Sequence, residues 1–161
     1  MLRIDLVVNN LIASALAYGE IRIMSDGSPW RPLIHCRDIA RAFVALASIP
    51  KDKINNVAIN IGSNQENFQV KDIADRVKML IPGADIAYTG EVGEDPRNYR
   101  VKFDLLNSIA PDFKLAYNLS SGMEELYRKM AEHGFGKEQF EGDQFVRLRM
   151  LRHNMDLLGR Y

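Results

Sequence analysis

Short strand-like segments alternate with helical segments along this 161-residue sequence, and this alternation constrains the fold more than any other feature. Apolar residues at helical spacing predict helices over 5–18, 38–47, 70–81, from 121 to about 133, and over 144–158. Four short segments read as strands, at 21–24, 32–35, 57–61 and 85–88. Because the two types intermix, the sequence predicts a mixed α/β class with a small sheet and flanking helices. So thin a sheet also indicates part of a larger architecture.

Individual segments carry more specific expectations. Residues 57–61 are β-branched and mostly uncharged, which is typical of a central strand. Gly19 suits the left-handed end of the first helix, Asp38 suits an N-cap, and Ser121 with Glu124 fits a capping box. Residues 136–143 read as a loop.

The composition excludes several classes of function. Lys plus Arg and Asp plus Glu both number 21, so binding of nucleic acid or membrane through bulk charge is disfavoured. One cysteine excludes a disulfide framework and a Cys-rich zinc site. No apolar run approaches the ~18 residues of a membrane span, and the first residues do not resemble a signal peptide. We therefore expect a reducing, cytoplasmic setting.

Side chains that often carry chemistry are scattered. The three histidines lie far apart, without metal-ligand spacing, so the sequence predicts no metal site. Cys36 is expected to be a small buried apolar residue. The basic tail with Arg147, Arg149 and Arg152 fits a solvated helix face, with a phosphate or nucleic-acid role as the other interpretation.

Two loops place an arginine where it could hold an anion. The turn at 26–29 presents Arg31 at the start of a strand, and the planar guanidinium can bind phosphate with two hydrogen bonds. In the loop 93–99, Pro96 stiffens the backbone and Arg97 projects from it. The two arginines could bracket a diphosphate, or both could form ordinary surface ion pairs.

Several motifs resemble the extended short-chain dehydrogenase/reductase family, the NAD-dependent epimerases and dehydratases of nucleotide sugars. The resemblance covers about residues 3–130. The matching segments are Asp5–Asn9, Gly27–Ala42, Asn60-Ile61-Gly62, Val70–Ala74, Asp95-Pro96-Arg97 and Gly122–Leu126. These motifs occur in the family's order and at compatible spacing, so together they are more specific than any single motif would be.

The resemblance implies a role for particular residues. Arg31 and Arg97 would hold the diphosphate of a UDP- or dTDP-type sugar, and Asn9 would lie near the nucleotide or the sugar. Asn60 would lie where the sheet meets the substrate lobe, or would serve a structural turn. His35 would pack and form hydrogen bonds at a strand end. Residues 1–134 would form a nucleotide-sugar-binding lobe with a remnant of the dinucleotide-binding sheet, followed by a helical tail over 135–161.

The departures from the family pattern are as informative. The chain contains neither the glycine-rich NAD loop nor a Tyr-x-x-x-Lys pair, which in this family supply the hydride acceptor and the acid/base group. The resemblance thus implies a C-terminal, substrate-binding part of an isomerase or oxidoreductase, with no catalytic residue or cofactor site of its own. The complete enzyme would use NAD or NADP. Such a chain would be a truncated form, a proteolytic product or one piece of a split gene.

Two other functions remain open at this point. One is a free-standing, non-catalytic nucleotide-sugar-binding or regulatory module. The other is a degenerate fragment whose apolar face mediates assembly. Without a dinucleotide-binding sheet, the apolar faces of 38–47 and 57–61 would be bare, and soluble monomers seldom expose large apolar patches. The isolated chain is therefore expected to self-associate, to swap segments or to be partly disordered.

Overall fold

The computed structural model describes residues 2–90 and 97–159. In chain order the helices are α1 (Val7–Tyr18), α2 (Cys36–Ala47), α3 (Lys51–Ile54), α4 (Val70–Leu80), α5 (Asp104–Ile109), α6 (Leu119–Glu132), α7 (Lys137–Glu141) and α8 (Arg147–Leu157). The strands are β1 (Glu20–Ile23), β2 (Trp30–Pro32), β3 (Asn67–Gln69) and β4 (Asp85–Tyr88). The predicted mixed α/β class, with little sheet and flanking helices, is confirmed.

The four strands form two separate pairs. β1 and β4 are parallel, with Glu20 opposite Asp85 and Ile23 opposite Tyr88. β2 and β3 are antiparallel, with Arg31 opposite Phe68. The parallel pair requires a long crossover, and α4, which packs against β1 and β4, is its last element.

The core lies between α1, β1, α4 and α6. Its largest fully buried apolar side chains are Ile12, Ile21, Ile23, Ile73 and Val77. α1 is apolar on most sides because it contacts β1, α4, α6 and α7. The tail joins the same core, since Phe135 is buried there and Phe140, Phe145 and Val146 pack against it.

The sequence correctly predicted the end of α1 and the bounds of α4 from local residue patterns. α1 ends as predicted at Gly19, whose φ of 70° is left-handed and whose N–H donates to the Ala15 carbonyl at 2.9 Å. α4 follows the predicted helix over 70–81 to within one residue, and its start is fixed by a capping box between Gln69 and Asp72.

Several predicted boundaries were wrong. Residues 57–61 form no strand, because no strand among the described residues pairs with them, and Val57 is 41% exposed. β2 covers 30–32 rather than 32–35, because it pairs with β3, which the sequence did not reveal. A short helix, α7, replaces the loop predicted at 136–143.

Two helix starts also differ from the sequence prediction. α2 begins after His35, whose Nδ1 accepts from the Arg37 N–H at 3.3 Å, so Asp38 lies inside the helix and is not its N-cap. α6 begins after Asn118, which exchanges hydrogen bonds with Ser121, so the capping box starts three residues earlier than predicted.

The apolar face of α2 is largely exposed. α2 turns Asp38 and Ala42 inward, while Phe43 and Val44 are each 73% exposed. The exposed apolar face predicted for this helix is therefore present in the structure. Within the described part of the chain, no helix is long and apolar enough to cross a membrane.

Candidate ligand site beneath the strap

Residues 97–103 form neither helix nor strand; this segment, here called the strap, is tied to the antiparallel pair of β2 and β3. The Asn98 side-chain oxygen accepts from the Trp30 N–H at 3.0 Å. The Asn67 amide accepts from the Val101 N–H at 2.9 Å and donates to the Val101 carbonyl at 3.1 Å. An asparagine side chain thus replaces the backbone partner that a neighbouring strand would offer.

The far end of the strap is fixed by close packing. The Phe103 N–H donates to the Asn64 side-chain oxygen at 2.9 Å. The Phe103 ring lies over Gly62, where an added Cβ would be only 2.4 Å from ring atom Cε1. The Asn60-Ile61-Gly62 motif therefore requires its glycine because an aromatic ring occupies the space of a side chain.

The strap brings the two predicted anion-binding arginines together. Arg31 Nη1 donates to the backbone carbonyl of Arg97, and also to the Trp30 carbonyl at 2.9 Å. The Arg31 guanidinium carbon lies 6.0 Å from the centre of the Tyr99 ring. Arg31 is half-buried and Arg97 is exposed. Asp95 and Pro96, the other members of the predicted motif, lie outside the described residues.

A cavity of about 250 Å³ lies under the strap. Its lining residues come from the strap, from the chain after Arg31 and from the segment before Gly62, namely Pro32, Leu33, Ile34, Asn60, Ile61, Tyr99, Val101 and Phe103. Asn60 also donates to the Lys102 carbonyl at 3.4 Å, which is a long contact. Three of the four predicted site residues, Arg31, Arg97 and Asn60, thus adjoin one strap.

Asn9 does not share this arrangement. Its side-chain amide lies on α1 and donates to the Arg3 carbonyl at 2.7 Å, beside a matching bond from Asn10 to the Ile4 carbonyl at 3.0 Å. These bonds hold the segment that precedes α1. The role of Asn9 near a nucleotide therefore stays a prediction.

Two aromatic residues and a third arginine were not singled out from the sequence as site residues. Tyr99 lines the cavity, and Arg100 lies over Trp30 with its guanidinium carbon 4.5 Å from the ring centre. Trp30 is the only tryptophan in the chain and directly precedes Arg31. That adjacency was the one local signal that marked it.

The side chains around His35 pack against one another and stabilise the start of α2. The His35 ring stacks on Tyr117 with centroids 3.8 Å apart and planes 16° apart. Arg37 donates to the Tyr117 hydroxyl at 2.7 Å. A hydrogen bond from Lys129, with the charge of Arg37, lowers the pKa of Glu125 beside this stack. The packing role implied for His35 agrees with this geometry.

The other side chains considered in the sequence analysis, Cys36 and the arginines of the tail, do not form a second site in the described residues. Cys36 is exposed and not buried as predicted, because it starts α2 on the side away from Asp38 and Ala42. α8 has no buried residue, which agrees with a solvated face for its arginines. In residues 2–90 and 97–159, no group of three or more His, Cys, Asp or Glu side chains could hold a metal ion.

Comparison with known proteins finds a family model that matches part of the chain. Residues 3–62 match the model of the NAD dependent epimerase/dehydratase family. That match covers α1, β1, β2, α2 and α3, and ends at the glycine beneath Phe103.

Solved structures share the fold. UDP-glucuronic acid 4-epimerase from Bacillus cereus, solved with UDP-glucuronic acid and NAD, is 23% identical with a TM-score of 0.68, over 81% of this chain and 41% of that one. An NAD-dependent NDP-hexosamine 5,6-dehydratase of tunicamycin biosynthesis, TunA, is 23% identical with a TM-score of 0.66, over 79% and 41%.

An L-threonine dehydrogenase from Clostridium difficile matches equally well, at 23% identity and a TM-score of 0.65, over 81% of this chain and 41% of that one. The fold alone therefore does not select a nucleotide sugar as ligand. The chain spans about two-fifths of the length of these proteins. Residues 3–62 are thus similar to the NAD dependent epimerase/dehydratase family, and the chain has part of the fold that these solved structures share.

Proposed function

We propose that this chain is the C-terminal, substrate-binding part of an NAD-dependent nucleotide-sugar epimerase or dehydratase. In this proposal Arg31 and Arg97 hold the diphosphate, and Asn60 contacts the ligand from beneath the strap. The observation that carries the proposal is the hydrogen bond from the Arg31 guanidinium to the Arg97 carbonyl. It brings Arg31 to the edge of the strap where Arg97 lies, 66 residues further along the chain, beside Tyr99, which lines the cavity.

The chemistry of this edge suits a nucleoside diphosphate. A diphosphate carries concentrated negative charge, and arginine binds it through charge-assisted hydrogen bonds of about 1.5–3 kcal/mol each. Tyr99 beside Arg31 and Trp30 beneath Arg100 add aromatic surface at the same edge. One solved neighbour binds a UDP-sugar together with NAD, so this fold is known to hold such a ligand. The paired arginines, and not the fold, favour a diphosphate over an amino-acid substrate in this proposal.

The size of the cavity supports a ligand site that is completed by a second half of the enzyme. At about 250 Å³ it is smaller than the ~300–1,000 Å³ of usual ligand pockets, so it would take only part of a nucleotide sugar. The rest of the site, the NAD or NADP cofactor and the acid/base groups would come from the N-terminal, dinucleotide-binding half. In this proposal residues 1–134 form the binding lobe, 135–161 form a helical tail, and the chain is not catalytic alone.

A stand-alone, non-catalytic binding or assembly module is the alternative. The exposed face of α2 argues against it, because Phe43 and Val44 are each 73% exposed beside Ile39 at 38%. A self-sufficient module would cover such a face. We propose that the missing half covers this face, and that self-association covers it when that half is absent.

The test is a calorimetric titration of the chain with UDP-glucose, UMP and NAD. UDP-glucose should bind and UMP should bind about tenfold or more weakly, because one phosphate cannot engage both arginines. Arg31→Ala and Arg97→Ala should each weaken UDP-glucose by a similar factor. Arg128→Ala, which removes an exposed arginine paired with Glu132 on α6, is the matched control and should not.

Three results would reject the diphosphate proposal: equal binding of UMP and UDP-glucose, no binding of UDP-glucose, or equal loss in the Arg128 variant. NAD binding to the isolated chain would reject the assignment of the cofactor to the missing half. Thermal melts of each variant show whether a lost affinity reflects lost folding.

A further inference from the structure

We propose that α8 is a docking helix for an acidic amphipathic helix of a partner protein. α8 and its C-cap present five large apolar side chains to solvent: Leu148, Leu151, Met155, Leu157 and Leu158 are 59%, 45%, 50%, 72% and 70% exposed. The helix has no buried residue, so these side chains are not part of the core. The proposal is independent of the nucleotide site.

The spacing of the apolar residues indicates a helix as the occupant. Leu148, Leu151, Met155 and Leu158 follow one another at intervals of three, four and three, which is the a/d pattern of a heptad repeat. Such a seam fits between the side chains of one facing helix. Leu157, at position c, extends the apolar surface beyond the seam.

The flanking charges indicate that the occupant is acidic. With Leu148 at position a, Arg147 occupies position g and Arg152 occupies position e, the positions that face a partner's charges. Arg149 adds to the positive charge, and α8 contains a single carboxylate, Asp156. Glutamates at the partner's e and g positions would pair with these arginines.

The same arginines disfavour a second copy of this chain. In a parallel pair, position g of one helix faces position e five residues further along the other, which sets Arg147 against Arg152. In an antiparallel pair aligned over the full helix, like positions face each other, so Arg152 opposes the Arg152 of the second copy. Like charges at these positions oppose pairing, so the seam selects a different sequence.

The residues just before α8 fix its start to the body. Val146, just before the helix, packs against the core, and the Ile4 N–H donates to the Phe145 carbonyl at 3.1 Å. Met150 is half-buried, whereas the seam residues are exposed. The helix is therefore held at its start while its seam stays open to a partner.

The test uses the full 161-residue chain and two synthetic helical peptides. Both have three heptads with Leu at a and d; one has Glu at e and g, and the other has Lys. Fluorescence anisotropy of the labelled peptides should show at least about tenfold tighter binding of the Glu peptide. The double variant Arg147→Glu/Arg152→Glu should reverse that preference, and Leu151→Ser should abolish binding of both peptides.

Phe43→Asp is the matched control, because it changes an exposed apolar residue on α2 and should leave peptide binding unchanged. The α8 variants should keep the wild-type thermal melt, since no α8 residue is buried. Equal binding of the two peptides, binding of neither, or binding that survives both α8 changes would overturn the proposal. So would self-association that Leu151→Ser removes, or cosedimentation with phosphatidylserine vesicles without a preference for the Glu peptide.

Discussion

Asp38 Oδ2 accepts a hydrogen bond at 2.9 Å from the backbone N–H of Tyr117, 79 residues further along the chain. The same carboxylate accepts from the Ala116 N–H at 2.9 Å and pairs with Arg41 at 2.5 Å, and its side chain is fully buried. α2 is thereby fixed to the segment that leads into α6. Burial alone would raise the pKa of Asp38, but these hydrogen bonds and Arg41 outweigh it, so the pKa is lowered.

Asp38→Asn should destabilise the chain by about 3 kcal/mol, because an amide cannot accept from every donor that faces the carboxylate. The wild-type contribution of Asp38 should be complete above the ordinary aspartate pKa of ~3.9 and should be lost as pH falls through the lower, folded value. Urea unfolding from pH 3 to pH 7 measures both effects. Asp112→Asn, at an exposed aspartate, is the control, and an equal loss there would contradict the prediction.

Glu66 should have the opposite pH dependence. Burial raises its pKa, and the hydrogen bond from the Leu119 N–H at 2.9 Å and the charge of Arg76 only partly offset this. The folded state then binds a proton more tightly than the unfolded state, so stability falls as pH rises from the ordinary glutamate range, ~4.3, through the raised value.

Glu66→Gln keeps an oxygen for the Leu119 N–H and removes the charge. The variant should be at least as stable as wild type at pH 7 and should lose the fall in stability above pH ~4.3. Urea midpoints between pH 4 and pH 8 test this. An unchanged pH slope would show that Glu66 is not the responsible group.

Local patterns predicted the elements whose signals are local. The end of α1 was predictable because the left-handed conformation of Gly19 depends on the glycine itself and needs no distant partner. α4 was predictable because its regularly spaced apolar residues are the ones that pack into the core. The run 57–61 failed as a strand for the complementary reason: β propensity becomes a strand only beside a partner edge. Asp38 failed as an N-cap because Ala116 and Tyr117, far along the chain, supply its donors.

The sequence singled out Arg31 and Arg97, from their loops and from the family resemblance, but it did not predict how they are arranged. Their binding role stays a prediction, and the structure adds that Arg31 contacts the Arg97 carbonyl. The strap that joins them depends on Asn67 and Asn98, whose hydrogen bonds span 34 and 68 residues. Ordinary sequence periodicity carries no information on such side-chain-to-backbone bonds.

Gly62→Ala should displace the strap. The new methyl group would lie 2.4 Å from the Phe103 ring, so the ring or the backbone must move, at a cost of about 1–3 kcal/mol. Because Arg97 lies on the strap, UDP-glucose affinity should fall along with thermal stability. Calorimetry and thermal melting measure the two effects.

Gly83→Ala is the matched control, since an added Cβ there would meet nothing within 4 Å. Phe103→Leu in the Gly62→Ala background should restore part of the stability, because the smaller side chain leaves room for the methyl group. If Gly62→Ala melts like the Gly83 variant, the ring does not fill the space above Gly62.

Phe43→Asp should reduce self-association of the isolated chain. Phe43 is 73% exposed on the apolar face of α2, so a charge there removes the drive to bury that face at little cost to folding. Met79→Asp is the control, because Met79 on α4 is equally exposed, at 73%, but lies outside that face. Sedimentation velocity over a hundredfold concentration range should show a shift towards monomer for Phe43→Asp alone. A wild-type chain that is monomeric throughout, or an equal shift in both variants, would mean that α2 is not the associating surface, and the proposed docking of a dinucleotide-binding half on that face would lose its main support.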